Sequence, residues 1–275
     1  MNLNDLTNIS SGFAPTPKMP VLFLGHGSPM NAIEENQFVR GFRKISKEIP
    51  VPNAILCVSA HWFTNGTFVT AMDLPKTIHD FYGFPPDLFA VQYPAPGSPE
   101  LARETAGLLL PAQVEEDHSW GLDHGAWSVI RHMYPEADIP VIQLSIDYSK
   151  PPEYHFQLAT QLQKLREKGV LIIGSGNIVH NLRLVDWRNI NTVGAGWDWA
   201  IEARELTNSW ILDGNFRNLI NYNKQGVAMQ TAVPTPDHYM PLIYTLALKE
   251  KTDDIALFND ELLGGSLSMT SVRIG

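Results

Sequence analysis

Cysteine is nearly missing from this chain. Cys57 is the single one in 275 residues, so no intrachain disulfide can form and zinc sites built on several thiolates are excluded. Long apolar runs are missing too, and none approaches the ~18 residues needed to cross a bilayer as a helix. Charge is sparse, at 18% of residues against a typical figure of roughly 25%. Positive charge is the scarcer sign: 20 Lys and Arg face 29 Asp and Glu, a formal net charge of −9. That balance argues against a general nucleic-acid binder, which needs a cationic field to displace counterions from phosphate. It argues equally against docking on anionic lipid. The first basic residue is Lys18, so a secretory signal is not expected and the cytoplasm is the default compartment. Repeats of period 20–50 and low-complexity blocks are not visible.

What is present reads as a folded globular chain. Hydrophobic residues make up 44%, enough for a full core at this length. At roughly 150 residues per domain the prior is one or two domains, but no composition shift divides the chain. One domain is expected over residues 19–275, preceded by a loosely held polar tail of residues 1–18 that carries Pro15 and Pro17.

The elements alternate. Val21–Gly25, Ala54–Ala60, Val141–Ile146 and Val170–Gly174 are short apolar runs rich in β-branched residues, the pattern of strands buried on both faces. Helical spacing is expected over Glu34–Glu48, Pro99–Leu110 behind a Ser98 cap, His155–Lys168, Trp197–Leu212 and Met240–Leu248. Ser268–Ile274 is expected to be a last strand. The fold class is therefore α/β, a single central, mostly parallel sheet flanked by helices.

The chemistry is in the nine histidines. His26 follows the first strand, His61 the second, and His180 the fourth after a Gly174-Ser175-Gly176-Asn177 turn. His238 sits in a proline-bounded loop before a helix. These are the strand carboxyl ends where open α/β sheets place their sites. Imidazole suits zinc and iron, so a metal site at those ends is expected, although a single histidine there is more often structural. No compact H-E-x-x-H spacing exists, and the pattern does not choose the metal. The glycine-rich turn lacks the rest of a nucleotide motif, Ser28 and Ser59 lie outside any G-x-S-x-G elbow, and Cys57 reads as a buried inert thiol. Trp62, Trp120 and Trp127 stand close to histidines in sequence. Asp117, Asp123 and Asp237 each precede a histidine. Orientation of that imidazole is one reading, but a helix cap or solvated loop acid is the expectation for Asp123 and Asp237.

Seven motifs occur in order: Leu24-Gly25-His26-Gly27-Ser28-Pro29-Met30, Val58-Ser59-Ala60-His61-Trp62, Thr77-Ile78-His79-Asp80-Phe81, Tyr93-Pro94-Ala95-Pro96-Gly97, Leu122-Asp123-His124-Gly125-Ala126-Trp127, Gly176-Asn177-Ile178-Val179-His180-Asn181-Leu182 and Pro234-Thr235-Pro236-Asp237-His238-Tyr239. Together they resemble the 4,5-DOPA extradiol dioxygenase family of class III, LigB-type ring-cleaving enzymes, from about Met19 to Gly275. The resemblance implies one α/β catalytic domain and a mononuclear metal centre. It implies O2-dependent cleavage of a catechol such as DOPA beside, rather than between, its hydroxyls. By motif, His26, His61 and His238 match metal ligands. His180 matches a histidine at the metal edge that is a ligand in zinc-loaded members and suited to acid–base work in the iron enzyme. His124 matches an active-site histidine facing substrate, so His124 and His180 are the catalytic candidates. His79 and Asp80 are expected to meet the amino-acid part of the substrate.

The wider superfamily commonly uses two histidines and a carboxylate for iron, whereas this branch puts His238 in third place. Fe(II) is the expected catalytic ion, and Zn(II) the expected occupant of protein purified in air. The expected partners are a small-molecule catechol and O2, with no nucleic acid and no membrane. Two other readings use the same histidines: a zinc hydrolase and a metal-dependent binding protein without turnover. The physiological catechol, the cleavage position and the oligomeric state are open at this level.

Overall fold

The computed structural model describes residues 16–275. Its main sheet has eight strands. They are β1 (Val21–Gly25), β2 (Ala54–Thr64), β3 (Thr67–Thr70), β4 (Val114–Asp117), β5 (Val141–Asp147), β6 (Val170–Gly176), β7 (Ile255–Phe258) and β10 (Ser271–Ile274). A separate small hairpin pairs β8 (Leu262–Leu263) with β9 (Leu267–Ser268). The spatial order of the large sheet is β4-β3-β5-β2-β6-β1-β10-β7. Its centre, β5-β2-β6-β1, is parallel throughout. β10 and β7 join antiparallel on one side, and β3 lies antiparallel to β5 on the other.

Alternation along the central strands explains the layering. Val21 and Phe23, with Leu56 and Val58, pack into a core that also holds Leu101, Leu158, Ala203 and Leu242 from four helices. Leu22 and Leu24, with Ile55 and Cys57, point the other way, against Phe38 and Phe42 of one helix and Trp127 and Ile130 of another. With helices on both faces, continuous apolar strands are required. Capping follows the local sequence. Asn36 caps Gln37–Glu48, Ser98 caps Pro99–Leu108 and Asp123 caps His124–Met133, each by accepting backbone N–H groups.

Several expected boundaries move. The expected helix over His155–Lys168 is two, Pro152–Thr160 and Gln163–Glu167, although Leu158, Leu162 and Leu165 all stay in the core. The expected last strand, Ser268–Ile274, divides into β9 and β10. Helices Gln37–Glu48 and Asp198–Leu212 begin later than expected, and Pro99–Leu108 and Met240–Leu246 end earlier. Most of the expected tail, residues 1–15, lies outside the described residues. Lys18 is held by Glu250 at 2.6 Å and Asp253 at 3.2 Å. Among the described residues no helix is long and apolar enough to cross a membrane.

Candidate metal centre

Five histidines meet at the carboxyl ends of the parallel strands. His26 leaves β1 with its N–H on Gly176 O of β6 at 3.1 Å. β2 loses register with β5 between Val58 and Phe63, and this irregular stretch carries His61 out at the sheet edge. His180 lies beyond β6, where its N–H bonds Ala232 O. His238 enters from the loop before helix Met240–Leu246, and its carbonyl accepts from Asn177 N at 2.9 Å. His124 begins the helix His124–Met133. Close backbone approach depends on Gly176, where a Cβ would collide with His238 O.

The rings form one cluster. The His26 centroid lies 5.1 Å from that of His61, 5.3 Å from His238 and 5.8 Å from His124. His61 and His124 are 3.8 Å apart, and His180 stacks on His238 at 3.5 Å with ring planes within 6°. Two tight donor sets emerge within it, His26-His61-His124 and His180-Asp237-His238, each with its ligand atoms within 4.8 Å of one another. His124 thus falls with His26 and His61, and His238 with His180.

Hydrogen bonds to the outer nitrogens set the chemistry of the inner ones. Ser175 Oγ donates to Gly125 O at 2.5 Å, so it accepts from His26 Nδ1 at 3.0 Å and leaves His26 Nε2 as a bare lone pair. Asp80 Oδ2 sits 3.3 Å from His61 Nδ1 and 2.9 Å from His124 Nδ1, while Asp80 Oδ1 accepts the His124 backbone N–H at 2.9 Å. Asp237 takes His238 Nδ1 in a short bond. The Nε2 atoms of His26 and His61 then face each other at 3.3 Å. With the His61 proton on Nδ1 toward Asp80, both Nε2 atoms offer lone pairs to one point, a donor set suited to a cation, and acceptors on the far nitrogens are what orient and enrich imidazole ligands. The residues therefore fit a metal ion.

The electrostatics agree. Burial, with the neighbouring histidines, lowers the pKa of His26 and His61 well below the ordinary imidazole value, which keeps them neutral and able to bind metal. Burial, with His238, pushes His180 down to about 3. Burial works to raise Asp80 and Asp237, but bonds from His124 and His238 prevail and hold both below the usual carboxylate range. Beneath the cluster Asp123 is fully buried. Burial and the Asp80 charge raise its pKa despite bonds from Ser59 at 2.6 Å and Gln143 at 2.7 Å.

The profile of the family described as "Catalytic LigB subunit of aromatic ring-opening dioxygenase" matches residues 16–264. The chain belongs to the LigB family. It is 46% identical over 263 residues to a protein of Escherichia coli K12 named 4,5-DOPA dioxygenase extradiol, covering 94% of this chain and 95% of that one. A Beta vulgaris protein of the same name is 35% identical over 260 residues, covering 91% and 94%. The crystal structure of an uncharacterized Escherichia coli K12 protein superposes with a TM-score of 0.81 at 42% identity, covering 94% of this chain and all of that one. The chain is accordingly an extradiol ring-cleavage dioxygenase acting on a small molecule and O2.

Within the LigB fold, sequence reasoning reached all five clustered histidines but not their carboxylate partners. Asp237, expected as a cap or loop acid, instead holds His238. Asp80, expected at the substrate, is engaged by His124 and His61. His79 donates from Nε2 to Val91 O at 2.9 Å and packs against Phe81, Phe89 and Trp127. Trp127 donates to Ile78 O, and Trp62 stacks on Trp120 with ring centroids 5.7 Å apart. Ser175 gave no signal beyond its place in the glycine-rich turn.

Proposed function

We propose that the chain cleaves a catechol of the DOPA type, using Fe(II) held by His26, His61 and His238, with His180 at the metal edge. The observation that carries this reading is the 3.3 Å approach of the Nε2 atoms of His26 and His61, with Ser175 and Asp80 beside their Nδ1 atoms. His238, oriented by Asp237, adds a third nitrogen. Its ring centroid lies 5.0 Å from that of His61. Fe(II) held there would supply Lewis acidity and redox chemistry toward O2, whereas zinc would supply acidity alone.

The remaining work falls to side chains of this chain. With Nδ1 committed to Asp80, His124 has Nε2 free to take a proton from a catechol hydroxyl and to return it later. The Asp80 carboxylate steadies the imidazolium that forms and fixes the ring, so we assign Asp80 as a positioning residue. Phe81 meets His124 in a T-shaped contact with ring centroids 5.5 Å apart. Arrangement of substrate and base in one cluster supplies the proximity that such a step needs.

The test is metal exchange under nitrogen. Fe(II)-loaded protein should consume O2 with a catechol, and a verified zinc-only preparation should not. Oxygen-independent hydrolysis by the zinc form would favour the zinc hydrolase instead. His26→Ala and His238→Ala should lose stoichiometric metal. His124→Ala should keep it while kcat falls by roughly 10²–10⁴-fold. Metal loss in His124→Ala with full retention in His238→Ala would exchange their roles.

A further inference from the structure

A cleft of about 540 Å³ opens beside the metal centre. Its lining includes Gly27 and Ser28, the two residues after His26, together with Phe84, Trp187 and Leu263. Phe84 packs on Phe81 at 5.4 Å, and Phe81 in turn touches His124, so one aromatic wall runs from the candidate base into the cleft. Trp187 is 68% exposed there. Its loop is nonetheless fixed, because Asp186 N–H bonds Gly264 O and Gly194 N–H bonds Leu262 O.

The same lining carries one carboxylate without a direct partner. Glu34 and Glu35 both line the cleft, with Arg40. Glu35 is engaged by Arg43 at 2.5 Å and Arg40 at 3.5 Å. The Glu34 carboxylate meets no donor or cation among the described residues. Its backbone is rigidly referenced to the metal site. Glu34 N–H bonds Met30 O at 3.0 Å, Asn31 Nδ2 donates to His26 O at 2.9 Å, and Asn36 Nδ2 donates to Asn31 Oδ1 at 2.7 Å. An unpaired carboxylate and an exposed indole lining one cleft are a setting for an organic cation, which gains from charge and from a ring face.

We propose that this cleft receives the ring substituent of the substrate and that Glu34 selects substituents ending in an ammonium group. The inference rests on the ring-cleavage reading and adds the residue that distinguishes among catechols. The apolar wall accepts the alkyl stem, Glu34 accepts the ammonium N–H groups, and no bond is made or broken.

The test separates binding from turnover by using the zinc-loaded protein. Tryptophan quenching is titrated with dopamine, a cationic catechol, and with 4-methylcatechol, a neutral one of similar shape. Dopamine should bind roughly 5-fold more tightly, the upper scale of one exposed ion pair. Glu34→Gln should bring that ratio to about 1, and Glu34→Arg should reverse it in favour of 3,4-dihydroxyphenylacetate. Equal affinity for dopamine and 4-methylcatechol in the unaltered protein overturns the proposal, as does a preference that survives in Glu34→Gln. In either case O2 uptake by the iron-loaded enzyme still stands or falls separately, so failure at Glu34 is distinguishable from failure of the dioxygenase reading. If neither catechol binds the zinc-loaded protein, the cleft proposal is overturned, and O2 uptake by the iron-loaded enzyme still decides the ring-cleavage reading.

Discussion

Asp80 concentrates the chemistry of the site in one side chain. Its two oxygens hold the ring and the backbone of His124 and approach His61 Nδ1. A residue that met substrate directly would show its loss in KM. One that acts through His124 shows it in kcat. Asp80→Asn should therefore lower kcat about 10–100-fold, the usual cost of removing a partner behind a site imidazole, with KM for catechol nearly unchanged. Steady-state kinetics of the iron-loaded variant check this, and a KM effect at constant kcat would return Asp80 to the substrate. Sequence reading placed Asp80 near the site but not on His124, because 44 residues separate the two and only the folded loop joins them. Asp237 was harder to read for the opposite reason. Neighbours in an extended segment point apart, and the loop between Pro236 and Met240 turns Asp237 back onto His238.

Among the elements, helix His124–Met133 bears most directly on the site. Asp123 caps it, and Gly125 lets it press against β2. A Cβ on Gly125 would lie 2.8 Å from His61 Cδ2 and would also collide with Ser59 Oγ. Gly125→Ala should displace the His61 ring and weaken metal binding at least tenfold while the fold persists. Competition with a metallochromic chelator, alongside circular dichroism, reads both. A second helix pair is joined by His155, which is 1% exposed. Its Nε2 donates to Asp147 O at 3.1 Å and its Nδ1 accepts from Tyr244 Oη at 2.9 Å. Burial pushes its pKa down to about 4. It is neutral when folded, whereas the unfolded chain takes up its proton below about 6.5. Its contribution is complete above about 6.5, is lost as pH falls toward 4, and amounts to about 3 kcal/mol at most. Denaturant unfolding at pH 7 and pH 5 should show a shallower pH dependence for His155→Gln than for the unaltered apo-protein, and equal slopes would contradict the assignment.

The elements legible in the sequence are those whose burial fixes their pattern. Central strands covered on both faces show as unbroken apolar runs, and Val21–Gly25 has the bounds expected of it. The edge strands do not show. Val114–Asp117 reads Val-Glu-Glu-Asp, with the two glutamates exposed, and such charges protect a sheet edge while erasing the strand signal. Ile255–Phe258 at the other edge, and Thr67–Thr70 one strand in from the first, are only four residues each. The break after Thr160 is hidden because Leu158, Leu162 and Leu165 keep their buried spacing across it.

At the scale of the whole molecule, the parallel centre of the sheet gathers histidines from distant parts of the chain at one edge. Helices on both faces bury the strands that carry them. The acidic balance and the mostly apolar cleft suit a small aromatic substrate better than a polyanion. Nitrogen sites favour zinc over Fe(II), so the proposed iron chemistry is tested only with the ion controlled. The most direct measurement is a single-turnover reaction of the anaerobically Fe(II)-loaded protein with a catechol and 18O2, read by mass spectrometry. One O2 should be consumed per catechol, and the ring-opened product should carry both labelled atoms. Unopened catechol, or an opened product that draws its oxygen from water without O2 uptake, would contradict the ring-cleavage reading.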